Sequence, residues 1–286
     1  MAFAAALMCG CEKHVLDDAN GEAWEEESQD GPSKRFTFTV KGDFGAATFT
    51  RGYLAADGQS MTDLWVFDYV GGICVQTVHQ TSADAEWGQP KMSLSYGSHH
   101  VYFVDSRGEG ATLDAEGHTI TWTGPRDTFW KDYEVDVVST SNGNRAVTLD
   151  RVATKVRIVV NDEVPATCKA VSVTPERWYY GWDYVAGVAT ASQQTERRVT
   201  VPESYVGTTG QLAVSIFGLS SADEWVTNVA VKALGDDDAV LGSATITGAP
   251  FKSNRSTEYS GNLFGSAGGL DVSVSANWES PKTGTW

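Results

Sequence analysis

An all-β chain with two β-sandwich-like domains in tandem is what the sequence predicts, and three observations carry that expectation. Apolar residues recur at every second position in run after run, as on half-buried strands. Gly, Asn, Asp and Pro fall between these runs, where turns need them. No segment keeps a helical apolar repeat for long; the nearest candidates are single turns at residues 82–87 and 220–225.

Composition bounds the rest. The chain has 286 residues, 41% of them hydrophobic, and a formal net charge of −16. A chain of that length buries about 70–75% of its unfolded surface, enough for a real core. It also divides naturally into domains of ~100–150 residues. The apolar share excludes general disorder, and no apolar run approaches the ~20 residues of a transmembrane helix. Excess acid argues against nucleic acid as a partner, because phosphates need clustered Lys and Arg.

The first eleven residues, MAFAAALMCGC, read as the end of a signal peptide. A short buried helix or a frayed terminus is the other reading of that apolar start. Gly10 before Cys11 resembles the lipobox of bacterial lipoproteins, in which the cysteine becomes an acylated N-terminus. Leu7 stands four positions before the cysteine, where that pattern has Leu three before. The resemblance makes Cys11 the lipid-attachment residue, and two or three acyl chains at ~0.8 kcal/mol per methylene give stable anchoring. Residues 12–34 form an acidic tether. Asp17-Asp18, Glu25-Glu26-Glu27 and the Gly31-Pro32-Ser33 break leave it too polar to offset its ordering entropy.

Residues 35–148 form the first strand-rich domain. Phe36, Phe38 and Val40 alternate with Thr37 and Thr39. In LWVFDY, Leu64 and Val66 face one way and Trp65, Phe67 and Tyr69 the other. With both faces apolar, this strand should lie between two layers. Gly71-Gly72 turns the chain into ICVQTVH, and further strands are expected at MSLSY, HVYFV, HTITW and YEVDVV. A turn at residues 141–144 precedes the second domain, residues 149–286. That domain opens with a long strand from Arg151 to Val160, with Val152, Val156, Ile158 and Val160 on one face. KAVSV, DYVAGVAT, RRVTV, QLAVSIF, WVTNVAVKAL, AVLGSATI, TEYSGNLF and LDVSVSANW follow, and residues 235–238 close a hairpin.

Signs of chemistry are scarce. Cys74 and Cys168, one per domain, either pair in an oxidising compartment or act as small buried hydrophobes. His99 and His100 are adjacent, so on a strand they point to opposite faces and cannot share a metal. His79 and His118 have no partner at strand or helix spacing. Asp236-Asp237-Asp238 lacks the alternation and the later bidentate Glu of a calcium loop. No metal and no other cofactor is expected. There is no G-x-S-x-G elbow, Walker loop or G-x-G-x-x-G, so no catalytic residue is assigned. The paired carboxylates of a glycosidase cannot be picked from 37 acids. Trp178, Tyr180 and Trp182, in a cluster with Tyr179 and Tyr184, are either an aromatic platform for sugar rings or a core plug.

Several segments together resemble the fimbrillin superfamily of Bacteroides-type pili, in particular its minor or anchor-type subunits. They are FTFTVKGDF, MTDLWVFDY and YGSHHVYFV in the first half. In the second half they are RVATKVRIVVNDEVPA and NRSTEYSGNLF, ending in a strand with Trp278. The resemblance implies two transthyretin-like, Greek-key β-sandwich domains in tandem, export as an outer-membrane lipoprotein, and a place in a surface fimbria. It also implies partners: other fimbrial subunits that lend or borrow a strand. Polymerising members lose their first strand to a protease that cuts after Arg, and Arg51 occupies a comparable place; anchor-type members keep the strand. The strand from Leu270 to Trp278 is either a donor or the closing strand of its own domain. The function expected is thus a non-enzymatic, lipid-anchored fimbrial subunit. The alternative is a surface carbohydrate-binding lipoprotein that uses the aromatic platform, with host or bacterial glycans as ligands.

Overall fold

In a computed structural model, the chain is described over residues 32–42, 61–221, 223–264 and 270–271. Cys11, nearly all of the acidic tether, Arg51 and most of the expected strand ending at Trp278 lie outside the described residues. Nine strands come first: β1 (Ser33–Gly42), β2 (Asp63–Val70), β3 (Ile73–Thr81), β4 (Lys91–Ser95), β5 (Gly97–Ser106), β6 (Glu109–Asp114), β7 (Thr119–Gly124), β8 (Thr128–Val137) and β9 (Asn144–Arg151). Seven of them join in the order β3-β2-β5-β8-β9-β1-β4, while β6 and β7 leave to build another sheet.

The period-two pattern explains the packing of this half. Phe36, Phe38 and Val40 of β1 point into a core with Leu64, Val66, Met92, Leu94, Phe103, Val147 and Leu149. The opposite face of β2 presents Trp65, Phe67 and Tyr69 to a second core with Tyr102, Val104, Ile120, Trp122, Trp182 and Tyr184. β2 therefore lies between two layers, as its doubly apolar sequence predicts. Gly71 and Gly72 make the β2–β3 turn at φ +56° and +84°, a backbone region that side chains disfavour.

The second half contains β10 (Ala153–Val160), β11 (Ala170–Pro175), β12 (Trp178–Asp183), β13 (Val188–Gln193), β14 (Arg197–Thr200), β15 (Ala213–Leu219), β16 (Trp225–Leu234), β17 (Val240–Phe251), β18 (Arg255–Gly261) and β19 (Leu270–Asp271). Two four-stranded sheets, β15-β10-β18-β19 and β14-β11-β16-β17, enclose a core that includes Val156, Ile158, Val171, Val173, Val214, Ile216, Val231, Phe251 and Tyr259. The expected hairpin at residues 235–238 joins β16 to β17.

The two halves repeat one topology. β1 runs parallel to β9 and antiparallel to β4; β10 runs parallel to β18 and antiparallel to β15. The order β3-β2-β5-β8 in the first half matches β14-β11-β16-β17 in the second. Each half also carries one inserted hairpin. β6–β7 and β12–β13 meet in a fourth sheet, ordered β13-β12-β7-β6, with Trp182 opposite Ile120 and Gly181 opposite Thr121.

Two local expectations need correction. DYVAGVAT is not one strand. The Asp183 carboxylate accepts from the amides of Val185 (3.0 Å) and Ala186 (2.8 Å), and this Asx-type turn joins β12 to β13. The long strand from Arg151 divides at Val152, whose amide donates to Thr128 while its carbonyl accepts from Ser220. Val156, Ile158 and Val160 share the buried face as expected.

Candidate functional site

β1 is the strand that the sequence resemblance singles out. It sits inside its sheet, with Thr37–Gly42 alongside Asn144–Leu149 of β9 and Ser33–Thr37 alongside Lys91–Ser95 of β4. The loop before β4 adds backbone bonds from Phe38 to Pro90 (3.0 Å) and from Val40 to Gly88 (2.9 Å). Phe38 meets Phe103 edge-on at 5.2 Å and Tyr133 at 5.9 Å, while the Arg145 guanidinium lies over the Phe36 ring. Burying two Phe and a Val contributes about 1.5–3 kcal/mol each before entropy is charged. The strand is thus held by two ladders and a row of apolar side chains.

β12 carries the aromatic cluster, and of its two readings Trp178 and Trp182 fit the core plug. Trp178 and Trp182 are each only 2% exposed. The Trp178 indole donates to the Phe217 carbonyl (2.7 Å) and packs edge-on against Phe251 at 4.9 Å, inside the second sandwich. Trp182 packs against Trp130 in the core under the fourth sheet. Tyr180 is half-buried. No flat face of either indole is open to a sugar. Apolar area on this scale gains more from the core than from water, so the cluster joins layers.

Cys74 is exposed and Cys168 buried, and both are free thiols. His99 and His100 do point to opposite faces: His99 is 1% exposed and His100 lies at the surface.

One polar cluster escaped sequence reasoning. His99 Nδ1 lies 2.7 Å from Asp68, and its Nε2 lies 2.9 Å from the Ser95 carbonyl and 3.3 Å from the Ser95 hydroxyl. The connectivity is that of a Ser-His-Asp relay, but the chemistry differs. A carbonyl only accepts, so Nε2 carries a hydrogen and cannot take the Ser95 proton. Burial pushes the Asp68 carboxyl up while His99 opposes the shift, so this is a structural pair fixing β2 to β5. At the junction of the halves, Arg151 makes a two-point pair with Asp127 (2.8 and 3.3 Å) and donates to Asn254 at 3.2 Å. Neither cluster has a sequence signature, because each depends on cross-strand register.

No protein-family model and no curated protein matches this chain. Solved structures do. A candidate adhesin from Bacteroides ovatus superposes with a TM-score of 0.52 at 12% identity, over 80% of this chain and 88% of that one. A second from the same species gives 0.52 at 12%, over 88% and 97%. A candidate polysaccharide-binding protein from Bacteroides thetaiotaomicron gives 0.50 at 7%, over 80% and 92%. At such identities the likeness speaks to architecture. This chain has the all-β fold of the Bacteroides adhesins, the kind of fold that the fimbrillin-like resemblance in its sequence implies.

Proposed function

We propose that this chain is a non-enzymatic surface subunit of a fimbria. It is held at the outer membrane through lipid on Cys11, spaced by the acidic tether, and joined to other subunits by addition of a β-strand. The observation that carries this is the seat of β1. It is the first strand among the described residues, it lies between β9 and β4, and its backbone and its side chains both complete the sandwich. Were it withdrawn, β4 and β9 would face each other with unpaired backbone groups across a trough lined by Met92, Leu94, Phe103, Val147 and Leu149. Such a gap accepts any extended segment of matching alternation. Cleavage at Arg51 would cut the covalent link between β1 and the rest of its domain; an intact Arg51 would keep the strand in place, as befits an anchor. The adhesin fold supports this reading. Burial of Trp178 and Trp182 weighs against the carbohydrate alternative, which relied on both indoles.

The test has two readouts. Full-length protein is cut with an Arg-specific protease, and a labelled peptide of residues 33–42 is added. Uptake into cleaved but not intact protein is expected; failure of the cleaved form to bind it would refute strand addition at this site. Separately, Cys11→Ala should move the protein out of the membrane fraction of expressing cells. Unchanged fractionation would end the lipid claim.

A further inference from the structure

The face of β5 and β8 that carries Tyr102 also presents a mixed imidazole–carboxylate cluster. His100 on β5 stands directly opposite Glu134 on β8, and Asp132 lies two residues back along the same face of β8. His100 Nδ1 is 3.1 and 3.2 Å from the two oxygens of Asp132. One ligand atom from each of the three residues falls within 4.8 Å of the others. Four ligands at ~2.0–2.1 Å around zinc stand roughly 3.4 Å apart. The His100–Asp132 pair already has that spacing, and Glu134 offers a ligand atom within 4.8 Å of both.

Three further features mark the cluster as a site. The ligands come from paired strands of one sheet, the kind of rigid support that holds ligand geometry. The His100 ring stacks on Tyr102 at 6.0 Å and 18°, which fixes its plane. Among the described residues, Asp132 pairs with the His100 imidazole, and neither Asp132 nor Glu134 pairs with a Lys or Arg. A dication would neutralise the charge that these two carboxylates leave. His100 and Asp132 remain 47% and 29% exposed, so an ion can enter from solvent.

We infer that His100, Asp132 and Glu134 bind a divalent transition-metal ion of the zinc class, with water completing the coordination. Imidazole with carboxylates suits zinc, copper or nickel, whereas calcium and magnesium take oxygen ligands alone. Three protein ligands leave a fourth position open, so the ion is positioned to accept a group from a docked molecule. Sequence reasoning set metals aside because it paired histidines with sequence neighbours; the partners of His100 lie more than thirty residues away.

Chelator-treated full-length protein titrated with zinc chloride in a calorimeter tests this. One saturable site is expected, weakened more than about tenfold by His100→Ala and likewise by Glu134→Gln, since even outer-shell changes cost 10–100-fold. Cys74→Ser and His79→Ala, at an exposed thiol and at the exposed His79–Asp63 pair, should leave it unchanged. Absence of saturable binding, or equal binding by wild type and His100→Ala, would overturn the proposal.

Discussion

Asp105 shows how much one side chain can oppose the fold that contains it. It is fully buried on β5, and among the described residues neither carboxylate oxygen has a partner of normal hydrogen-bond geometry. Burial, and then the neighbouring charge of Asp127, push its carboxyl well above the ordinary carboxylate range; the Ser106 amide offsets this only in part. The folded chain therefore holds a proton on Asp105 at pH values where the unfolded chain has released it. Stability linked to this group is fully present below the unfolded value near 3.9 and is lost as pH rises toward the folded value. Asp105→Asn, which carries no titratable proton, should stabilise the protein at pH 7 by about 1–3 kcal/mol, the scale of an unsatisfied buried group. The gain should vanish near pH 3. Urea denaturation at both pH values checks this; destabilisation at pH 7 would mean that the carboxylate is ionised and paired.

At the scale of elements, β1 was legible almost completely and its neighbours were not. Alternation of Phe36, Phe38 and Val40 names the strand and its buried face, because that pattern needs only the backbone's two-residue period. Pairing with β9, about a hundred residues later, and with β4 is set by which apolar strips the rest of the chain offers, and no local signal records that. The doubly apolar β2 was equally plain. Its Trp65, Phe67 and Tyr69 demand a second layer, although nothing in β2 says that β7 and β12 will supply it. Removing the anchor of β1 makes this concrete. Phe38→Ala should destabilise the first sandwich by about 3–5 kcal/mol, the usual cost of emptying a buried aromatic site. It should also speed uptake of a wild-type peptide of residues 33–42 by the cleaved protein. Slower exchange would show that the ladders rather than the Phe38 ring hold the strand.

For the whole molecule, the fourth sheet is the decisive feature. It couples a hairpin from each half over a core of Trp122, Trp182 and Tyr184, while Arg151, Asp127 and Asn254 tie the junction. Two sandwiches joined by a bare linker would unfold separately; these should unfold in one calorimetric transition. Gly181 is the position to perturb. A Cβ there would meet Ala191 at 3.0 Å and Thr121 and Thr190 at 3.1 Å. Gly181→Val should cost about 1–3 kcal/mol through overpacking and split the transition in two. A single transition lowered as a unit would place the coupling elsewhere, at the Arg151 junction.

The sequence by itself determined that the chain is built of strands, which faces of β1, β2 and β10 are buried, and where most turns fall, because alternation and turn chemistry act over a few residues. Tertiary structure alone decided that Trp178 and Trp182 are plugs rather than a platform, since exposure depends on what covers a face. The same holds for the inserted hairpins forming a shared sheet and for His100 meeting Asp132 and Glu134. Those outcomes follow from register between distant strands, and register is fixed only when every apolar face has found its cover.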